Sequence, residues 1–278
     1  MATATDEMHV YEPHRIGLPP LKTYITRLWG RREFAAEFSR SSIRAANTRT
    51  FFGQLWLVLN PTLLALVYFI LVTLLGNRGG IDTLAHITCG LFFFFFISGC
   101  ITQGAGSVTG SGRLLMNLNF PRLLLPLAAV RTAFFRFLPT VPVYFIIHIA
   151  SGAPWSPVML LSLVFLLYAV VFSMGMAALF ATLQVYFRDT SSLLPYIVRI
   201  WLYLSPVLWF AEDAPAAFVD FMVLNPLFSI IGGWTDLLLL NQVPEPRLWI
   251  AGAIWAVVSF VAGSLVFMSR ERDFAVRI

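Results

Sequence analysis

Three arginines lie inside or beside apolar stretches long enough to cross a membrane: Arg131, Arg136 and Arg199. A charged side chain in the hydrocarbon core of a bilayer is costly, and it usually faces the interior of a helix bundle or water. No Asp or Glu lies within these stretches to pair with the arginines, and Asp189 is the nearest carboxylate. Such guanidinium groups suit a hydrated cavity that meets an anionic ligand such as a phosphate headgroup. The alternative is that the helix around Arg131 and Arg136 begins late, near Phe134, so that both side chains extend to the inner interface.

Aromatic residues surround one of these arginines. Tyr196, Trp201 and Tyr203 lie within four residues of Arg199, and aromatic residues make up 15% of the whole chain. The faces of sugar rings stack on aromatic side chains, so this group suits a pathway for a glycan. Aromatic belts at the two membrane interfaces are the alternative explanation, and Trp56 fits such a belt.

The sequence contains no nucleotide-binding motif. Its only lysine, Lys22, follows Leu21, whereas a P-loop needs Gly-Lys-Ser/Thr to hold the phosphates. The glycines at 104–112 do not fit the dinucleotide fingerprint either. His86 and Cys89 lie one helical turn apart but supply only two metal ligands, and no hydrolytic constellation stands out. We therefore expect no catalytic residue, metal or cofactor in this chain, and any ATP and Mg²⁺ must be bound by a separate polypeptide.

Membrane-spanning helices must position these candidate residues. Hydrophobic residues make up 58% of the chain and charged residues 12%, whereas soluble domains average about 25% charged residues. The apolar surplus falls into blocks of membrane length. The predicted fold class is an all-α integral membrane protein with six transmembrane helices. The predicted spans are Leu55–Leu75, Leu84–Ala105, Leu124–Ala150, Pro157–Leu183, Leu193–Phe210 and Leu248–Met268.

Two apolar segments have unusual patterns. The middle of the acidic stretch 211–247 is apolar but broken by Asn225-Pro226 and Gly232-Gly233. This pattern favours a re-entrant helical hairpin before the last span over a full crossing. In the second span, the five phenylalanines Phe92–Phe96 cover every direction around a helix, so we expect some to face lipid and some to face protein.

The first 50 residues are predicted to lie at the cytoplasmic surface. Residues 1–21 are polar and punctuated by proline, which is typical of a flexible tail. Residues 22–50 mix apolar and basic side chains and predict an amphipathic interfacial helix, with Arg40, Arg44 and Arg49 directed towards lipid headgroups. The alternative is a solvated helix that packs on its own protein. The transmembrane domain then covers residues 51–270, and residues 271–278 form a cytoplasmic tail.

The distribution of basic residues predicts the orientation in the membrane. Eight basic residues lie in the first 50, whereas only Arg78 and Arg247 fall in loops assigned to the outside. By the positive-inside rule, both termini of this multi-pass plasma-membrane protein lie in the cytoplasm. A full crossing by 211–247 would instead put a tail with three arginines outside. The net charge of +5 is therefore an orientation signal, and nothing in its distribution predicts nucleic-acid binding.

An ordered set of short segments resembles the membrane subunits of type-2 ABC exporters, in the polysaccharide-export branch. The matching segments are Gly53-Gln54-Leu55-Trp56, Leu59-Asn60-Pro61, Val67-Tyr68-Phe69, Phe120-Pro121-Arg122, Leu125-Pro126, Tyr186-Phe187-Arg188-Asp189, Tyr203-Leu204-Ser205-Pro206-Val207 and Leu224-Asn225-Pro226-Leu227. They keep the order and spacing of that family over about residues 50–270. A single tripeptide would carry little weight, but the ordered set is a strong resemblance.

The resemblance implies a homodimer of six-span bacterial subunits with two separate ATP-hydrolysing subunits on the cytoplasmic face. Known members export polyprenyl-diphosphate-linked O-antigens, capsular or teichoic-acid polymers, and mycobacterial galactan. The channel would form in the dimer and be lined largely by spans one and five. That assigns Trp56, Tyr68, Tyr196, Arg199, Trp201 and Tyr203 to the channel. The residues expected to contact the ATPase are Arg113, Asn117, Phe120, Pro121, Arg122, Arg188 and Asp189.

The identity of the transported substrate stays open at this stage. Eighteen arginines against one lysine hint at a genome rich in G and C, which favours a galactan-type polymer. A drug or small-lipid exporter of the same superfamily is the alternative. A membrane-embedded glycosyltransferase is disfavoured, because such enzymes generally need carboxylates near the membrane surface. The chain also departs from the family at its end, where Arg272–Val276 replaces the common acidic Phe-Ala-Asp type of ending.

Overall fold

A computed structural model describes residues 19–46, 50–76, 79–112 and 120–277, and these residues form a bundle of helices. No β-strand occurs in this part of the chain. Three of the predicted site residues, Arg49, Arg113 and Asn117, lie outside the described ranges.

Twelve α-helices occur within the described residues, joined by short helical turns and loops. They are α1 (Leu21–Gly30), α2 (Arg32–Ala45), α3 (Trp56–Gly76), α4 (Ile81–Thr109), α5 (Leu124–Phe137), α6 (Thr140–Ser151), α7 (Ser162–Tyr186), α8 (Thr190–Tyr203), α9 (Ala216–Met222), α10 (Pro226–Thr235), α11 (Pro246–Arg270) and α12 (Phe274–Arg277).

Five helical segments among the described residues are long and apolar enough to cross a membrane. They are Gly53–Gly76, Ile81–Thr109, Leu124–Ser151, Pro157–Tyr186 and Pro246–Asp273. Each coincides with a predicted span to within a few residues, because a predominantly apolar run of this length has no stable place in water.

The predicted fifth span, Leu193–Phe210, is not one long helix. Helix α8 has 14 residues and ends at Tyr203, which gives it a length of about 21 Å. The sequence Ser205-Pro206 explains the early end. Proline has no backbone N–H to continue the helix, and it disfavours the helical conformation of the residue before it.

Helix α4 is the centre of the bundle. It is buried along most of its length by α3, α5, α6, α7, α8 and α10. Phe92, Phe93, Phe94 and Phe96 are buried, and only Phe95 is partly exposed. The five phenylalanines therefore do point in every direction, but protein surrounds α4 on nearly all sides. Four of the five therefore face protein, and only Phe95 is left to face lipid or another chain.

Helices α7 and α11 make the closest helix–helix contact. A methyl group added at Gly175 of α7 would overlap the carbonyl of Ser259, and one added at Gly263 of α11 would overlap the carbonyl of Gly175. The hydroxyl of Ser259 donates a 3.0 Å hydrogen bond to the carbonyl of Phe172. Small residues let two helix backbones approach where lipid supplies no hydrophobic driving force between helices.

The segment before α3 is fastened to the end of α2. The side-chain amide of Gln54 donates to the carbonyls of Ile43, at 3.1 Å, and Ala46, at 2.8 Å. Gly53 has φ +51°, a left-handed conformation that favours glycine. The pair Gly53-Gln54 therefore caps α2 and turns the chain into α3.

One end of the bundle brings together segments that are distant in sequence. We call it the terminal face and define it by α1, Phe120–Arg122, Tyr186–Asp189 and Glu271–Arg277. The hydroxyl of Tyr24 in α1 donates a 2.6 Å hydrogen bond to a carboxylate oxygen of Glu271. The hydroxyl of Tyr186 donates at 2.8 Å to a carboxylate oxygen of Asp273. The beginning and the end of the described chain therefore lie at the same end of the bundle.

The opposite end of the bundle, which we call the loop face, holds the starts of α4 and α11. There the ring of Phe210 stacks on His86 at 4.1 Å between ring centroids. The side-chain amide of Asn241 donates a 2.9 Å hydrogen bond to the carbonyl of Pro154. The chain between Asp189 and Phe210 consequently runs from the terminal face to the loop face.

Candidate functional site

Helices α3 and α8 bring three of the predicted channel residues together. Tyr68 of α3 lies close to both Tyr203 and Arg199 of α8. Arg199 is exposed, and Tyr196 and Tyr203 are 65% and 50% exposed. Tyr196, Arg199 and Tyr203 are spaced i, i+3 and i+7, so they share one face of α8. This face of α8 holds a cation and two phenol hydroxyls, and Tyr68 adds a third hydroxyl from α3. Such groups can bind phosphate or sugar hydroxyl groups.

Trp201 faces a different direction. Its indole nitrogen donates a 2.7 Å hydrogen bond to the side-chain oxygen of Asn225, and its ring packs edge-on against Phe172 at 6.0 Å. Trp201 therefore anchors α8 to the segment before α10, away from the exposed face that holds Arg199.

Asn225 was predicted only as a break in the apolar stretch and as part of a family-like segment, and the structure gives it a further role. Its side-chain oxygen also accepts from the backbone N–H of Leu227, and its amide nitrogen donates to the carbonyl of Leu204, each at 3.1 Å. An Asn followed by Pro is a signal for a helix start, with Asn as the N-cap and Pro226 as the first residue. Asn225 thus fixes the position of α10 relative to the end of α8.

A second group of predicted residues lines a cavity of about 340 Å³ between α3, α4 and the α5–α6 segment. Its polar lining consists of Asn60, Gln103, Arg136 and Thr140, beside Trp56 and several phenylalanines. The Nε atom of Arg136 is buried and has no hydrogen-bond partner among the described residues. A cation without a carboxylate in its cavity can hold an anion or water there.

Arg131 does not line this cavity. Its guanidinium lies over the ring of Phe135, 5.1 Å from the ring centroid. Helix α5 begins at Leu124, so the alternative of a helix that starts near Phe134 was wrong. Arg131 and Arg136 lie about two and three turns inside the helix.

The segments predicted to contact an ATPase differ in exposure. Phe120 and Pro121 are buried, and the ring of Phe120 packs on Phe34 at 5.1 Å. The guanidinium of Arg122 donates to the backbone carbonyl of Glu271. Burial lowers the pKa of Arg122, and the nearby Glu271 carboxylate opposes that shift. Phe120–Arg122 therefore hold the terminal face together from inside.

The turn between α7 and α8 is accessible from outside the chain. Phe187, Arg188 and Asp189 are exposed. The carbonyl of Arg188 accepts hydrogen bonds from the side chains of Gln184, at 3.3 Å, and Ser191, at 3.0 Å. These bonds shape the turn and leave the charged side chains of Arg188 and Asp189 available to another subunit.

The N-terminal segment forms two helices, and the chain bends at Arg31. Helix α2 packs on α5, where Ser39 and Thr132 share a buried 3.0 Å hydrogen bond. Arg40 and Arg44 are exposed on α2, and Arg40 makes a 3.5 Å ion pair with Glu37. One face of α2 thus packs on the protein, and the other carries arginines into solvent or headgroups.

Known proteins resemble this chain along most of its length. No family model matches the chain. The chain is 26% identical over 255 residues to the O-antigen export system permease protein RfbA of Myxococcus xanthus, covering 90% of this chain and 97% of that protein. It is 27% identical over 228 residues to the protein of the same name in Klebsiella pneumoniae, covering 81% of this chain and 86% of that protein. These alignments relate the helical unit as a whole, rather than a single motif.

Proposed function

Because the chain resembles, along most of its length, permeases of O-antigen export systems, which are type-2 ABC exporters, we propose that it moves a polyprenyl-diphosphate-linked polysaccharide across the bacterial plasma membrane. The polymer is of the O-antigen or galactan type, and it travels from the cytoplasm outwards. The chain is the transport subunit and carries out no catalysis itself. ATP and Mg²⁺ are bound by a separate nucleotide-binding subunit, present in two copies.

The observation that carries this proposal is the exposed polar face of α8. Arg199 lies in the apolar stretch 193–210 that leads from one end of the bundle to the other, together with exposed Tyr196 and Tyr203. A guanidinium exposed at that depth is costly against lipid, but it is stable in a hydrated path. A lipid-linked glycan supplies both a diphosphate for Arg199 and hydroxyl groups for the tyrosines.

A second copy of the chain completes the path. Helix α3 fully buries only Ala65, and ten of its 21 residues are exposed, so one side of it is available to lipid or to another chain. The polar face of α8 lies beside it through the contact of Tyr68 with Tyr203. A homodimer that joins α3 and α8 of two copies would remove Arg199 from lipid and enclose a channel between them.

Six crossings per subunit fit the positions of the chain ends. The segment from Asp189 to Phe210 leads from the terminal face to the loop face, so α8 and the turns after it would serve as the fifth crossing. The chain then starts from Phe210 and returns to Asn241 at the loop face, with α10 buried between them. This supports a re-entrant hairpin followed by α11 as the sixth crossing, with the amphipathic α1–α2 segment and both termini in the cytoplasm.

The terminal face is the side that would meet the ATPase. Arg188 and Asp189 are the exposed contacts, whereas Phe120–Arg122 would transmit movement from inside the subunit. The predicted contacts Arg113 and Asn117 precede Phe120 in the same connection.

Depletion of the protein tests the proposed function. Labelled polyprenyl-linked glycan of full length should accumulate on the cytoplasmic side, and expression of the intact chain should restore its export. Absence of the polymer would indicate an enzyme of glycan synthesis. Unchanged glycan with altered drug sensitivity would indicate a drug exporter. Either of these results would contradict the proposal.

A further inference from the structure

The terminal face contains a cavity of about 730 Å³ with a strongly basic lining. It lies between α1, the Phe120–Arg122 segment and the end of α11. The charged residues that line it are Arg27, Arg31, Arg122, Glu271 and Arg272. Four guanidinium groups from three separate segments thus surround a single carboxylate.

The carboxylate of Glu271 is already engaged within the protein. It accepts the 2.6 Å hydrogen bond from Tyr24, and burial together with the negative charge of Glu271 raises the pKa of the Tyr24 hydroxyl, which keeps it a donor. Arg122 in turn donates to the backbone carbonyl of Glu271. Among the described residues that line the cavity, one carboxylate stands against four arginines, so this lining carries a net positive charge.

Arg27 in the last turn of α1 and Arg31, the residue that follows the helix, are placed as a pair. They are four residues apart, about one helical turn, and both line the cavity. Both side chains are exposed, and both form part of the cavity wall. Planar guanidinium groups in such an arrangement can bind the oxygens of one phosphate group through several N–H bonds.

The ends of two apolar helices lead us to expect this cavity at the depth of the lipid headgroups. Arg122 is two residues before Leu124, where a membrane-crossing segment begins, and Glu271 directly follows the last residue of α11. Another side of α1 exposes Leu21, Ile25 and Trp29 at intervals of four residues. The lowest free-energy position for this apolar stripe is the acyl-chain boundary, which puts the arginines of α1 beside phosphates.

We propose that this cavity binds the phosphate group of a membrane lipid at the terminal face. The ligand is a phosphate ester or diphosphate that enters from the adjacent leaflet, with its headgroup in the cavity and its chains in the bilayer. An anionic phospholipid and a polyprenyl diphosphate share this chemistry. The site is separate from Arg136 and Arg199, and it does not depend on which polymer the protein transports.

The test uses the full-length chain in nanodiscs of phosphatidylcholine that contain either phosphatidylglycerol or a polyprenyl diphosphate. Bound lipid is counted by native mass spectrometry across a range of lipid fractions. The double variant R27Q/R31Q should bind the phosphate lipid about tenfold more weakly or worse, since it loses charge-assisted hydrogen bonds. The variant R27K/R31K keeps the charge and should stay within about threefold of the unmodified chain.

A matched control is the double variant K22Q/R32Q, which removes two positive charges close to the cavity but not from its lining. It should weaken binding by less than about threefold, because exposed charges that do not contact the phosphate contribute little in water and salt. Preference for either lipid supports the site and identifies the source of the phosphate.

Three results would overturn the proposal. One is an equal loss of binding in R27Q/R31Q and K22Q/R32Q, which would mean non-specific attraction to the surface. Another is tight binding of inorganic pyrophosphate in neutral nanodiscs, which would indicate a soluble ligand. The last is unchanged lipid binding in R27Q/R31Q with loss of the co-purified ATPase subunit, which would indicate a contact with protein.

Discussion

Arg199 is the residue on which the proposed transport path depends most directly. Substitution by Gln removes the charge and leaves a shorter polar side chain. Arg199→Gln should therefore lower export of labelled glycan at least about tenfold, as expected for the loss of charge-assisted hydrogen bonds to a phosphate. The dimer and its association with the ATPase should persist, because Arg199 is exposed in the subunit.

The conservative variant Arg199→Lys is the control for this experiment. It keeps a positive charge at the same place and should retain most of the export, with a moderate loss because Lys binds phosphate as a point charge. Normal export by Arg199→Gln would remove the anion contact from the mechanism.

Tyr24 is predicted to hold α1 on the terminal face. Its hydroxyl bonds to the carboxylate of Glu271 where both groups are largely removed from water. Tyr24→Phe removes a hydrogen bond to a charged group, which is worth about 1.5–3 kcal/mol. Local opening of α1 should become about tenfold more frequent or higher, and trypsin cleavage at Lys22, Arg27 and Arg31 should accelerate to the same extent.

The exposed tyrosine of α8 provides the control for cleavage. Tyr196 is 65% exposed, so Tyr196→Phe should leave the cleavage rate of α1 unchanged. If Tyr24→Phe were cleaved no faster than the unmodified chain, packing of α1 would not depend on the bond to Glu271.

At the scale of the elements, helix α8 decides whether the chain crosses the membrane five or six times. A cysteine at Ser192 would lie near the terminal face, and one at Ala211 would follow Phe210 at the loop face. Both positions are exposed, and the native Cys89 and Cys100 are buried. We expect a membrane-impermeant maleimide to label Ala211→Cys in intact cells and Ser192→Cys only after permeabilisation. Labelling of both from the same side would mean that α8 is not a crossing.

The sequence predicts the long helices well and α8 less well for one physical reason. Uncharged runs such as that of α3 have no alternative to a buried or lipid-facing helix, so their bounds agree with Gly53–Gly76 to within two residues. In 193–210 the apolar run continues past Ser205-Pro206, and hydropathy alone does not register that a proline ends the helix. The proline rule could have placed that end correctly.

The candidate site is only partly predictable for a different reason. Arg199 and Trp201 are two residues apart, which places them about 200° apart around a helix, so the separation of Trp201 from the polar face could have been read from the spacing. The contact of Tyr68 with Tyr203 could not, because it joins two helices whose relative position depends on packing around α4. The same holds for the basic cavity, whose arginines come from both ends of the chain.

At the scale of the whole molecule, two exposed apolar stripes have different neighbours. On α3 the stripe consists of Leu63, Val67, Ile70 and Leu74, and on α11 it consists of Ile250, Ile254, Val257 and Val261. Both are about half exposed or more, so burial does not distinguish them. The stripe of α3 belongs to the helix that contacts Tyr203, next to a cation that needs cover from lipid. At the α11 stripe, the arginine one turn before Ile250 is Arg247, which is already paired with Asp220 and Glu245.

This difference predicts where two copies meet. Single cysteines placed along the α3 stripe should form cross-linked dimers in membranes on addition of a short bifunctional maleimide, whereas cysteines along the α11 stripe should stay monomeric. The two sets are matched in exposure and apolar character, so collision in the membrane would cross-link both alike. Cross-linking through α11 alone would place the interface on the far side of the bundle from Arg199. The polar face of α8 would then have to be covered within one subunit. That result would contradict the proposal of a channel between two copies.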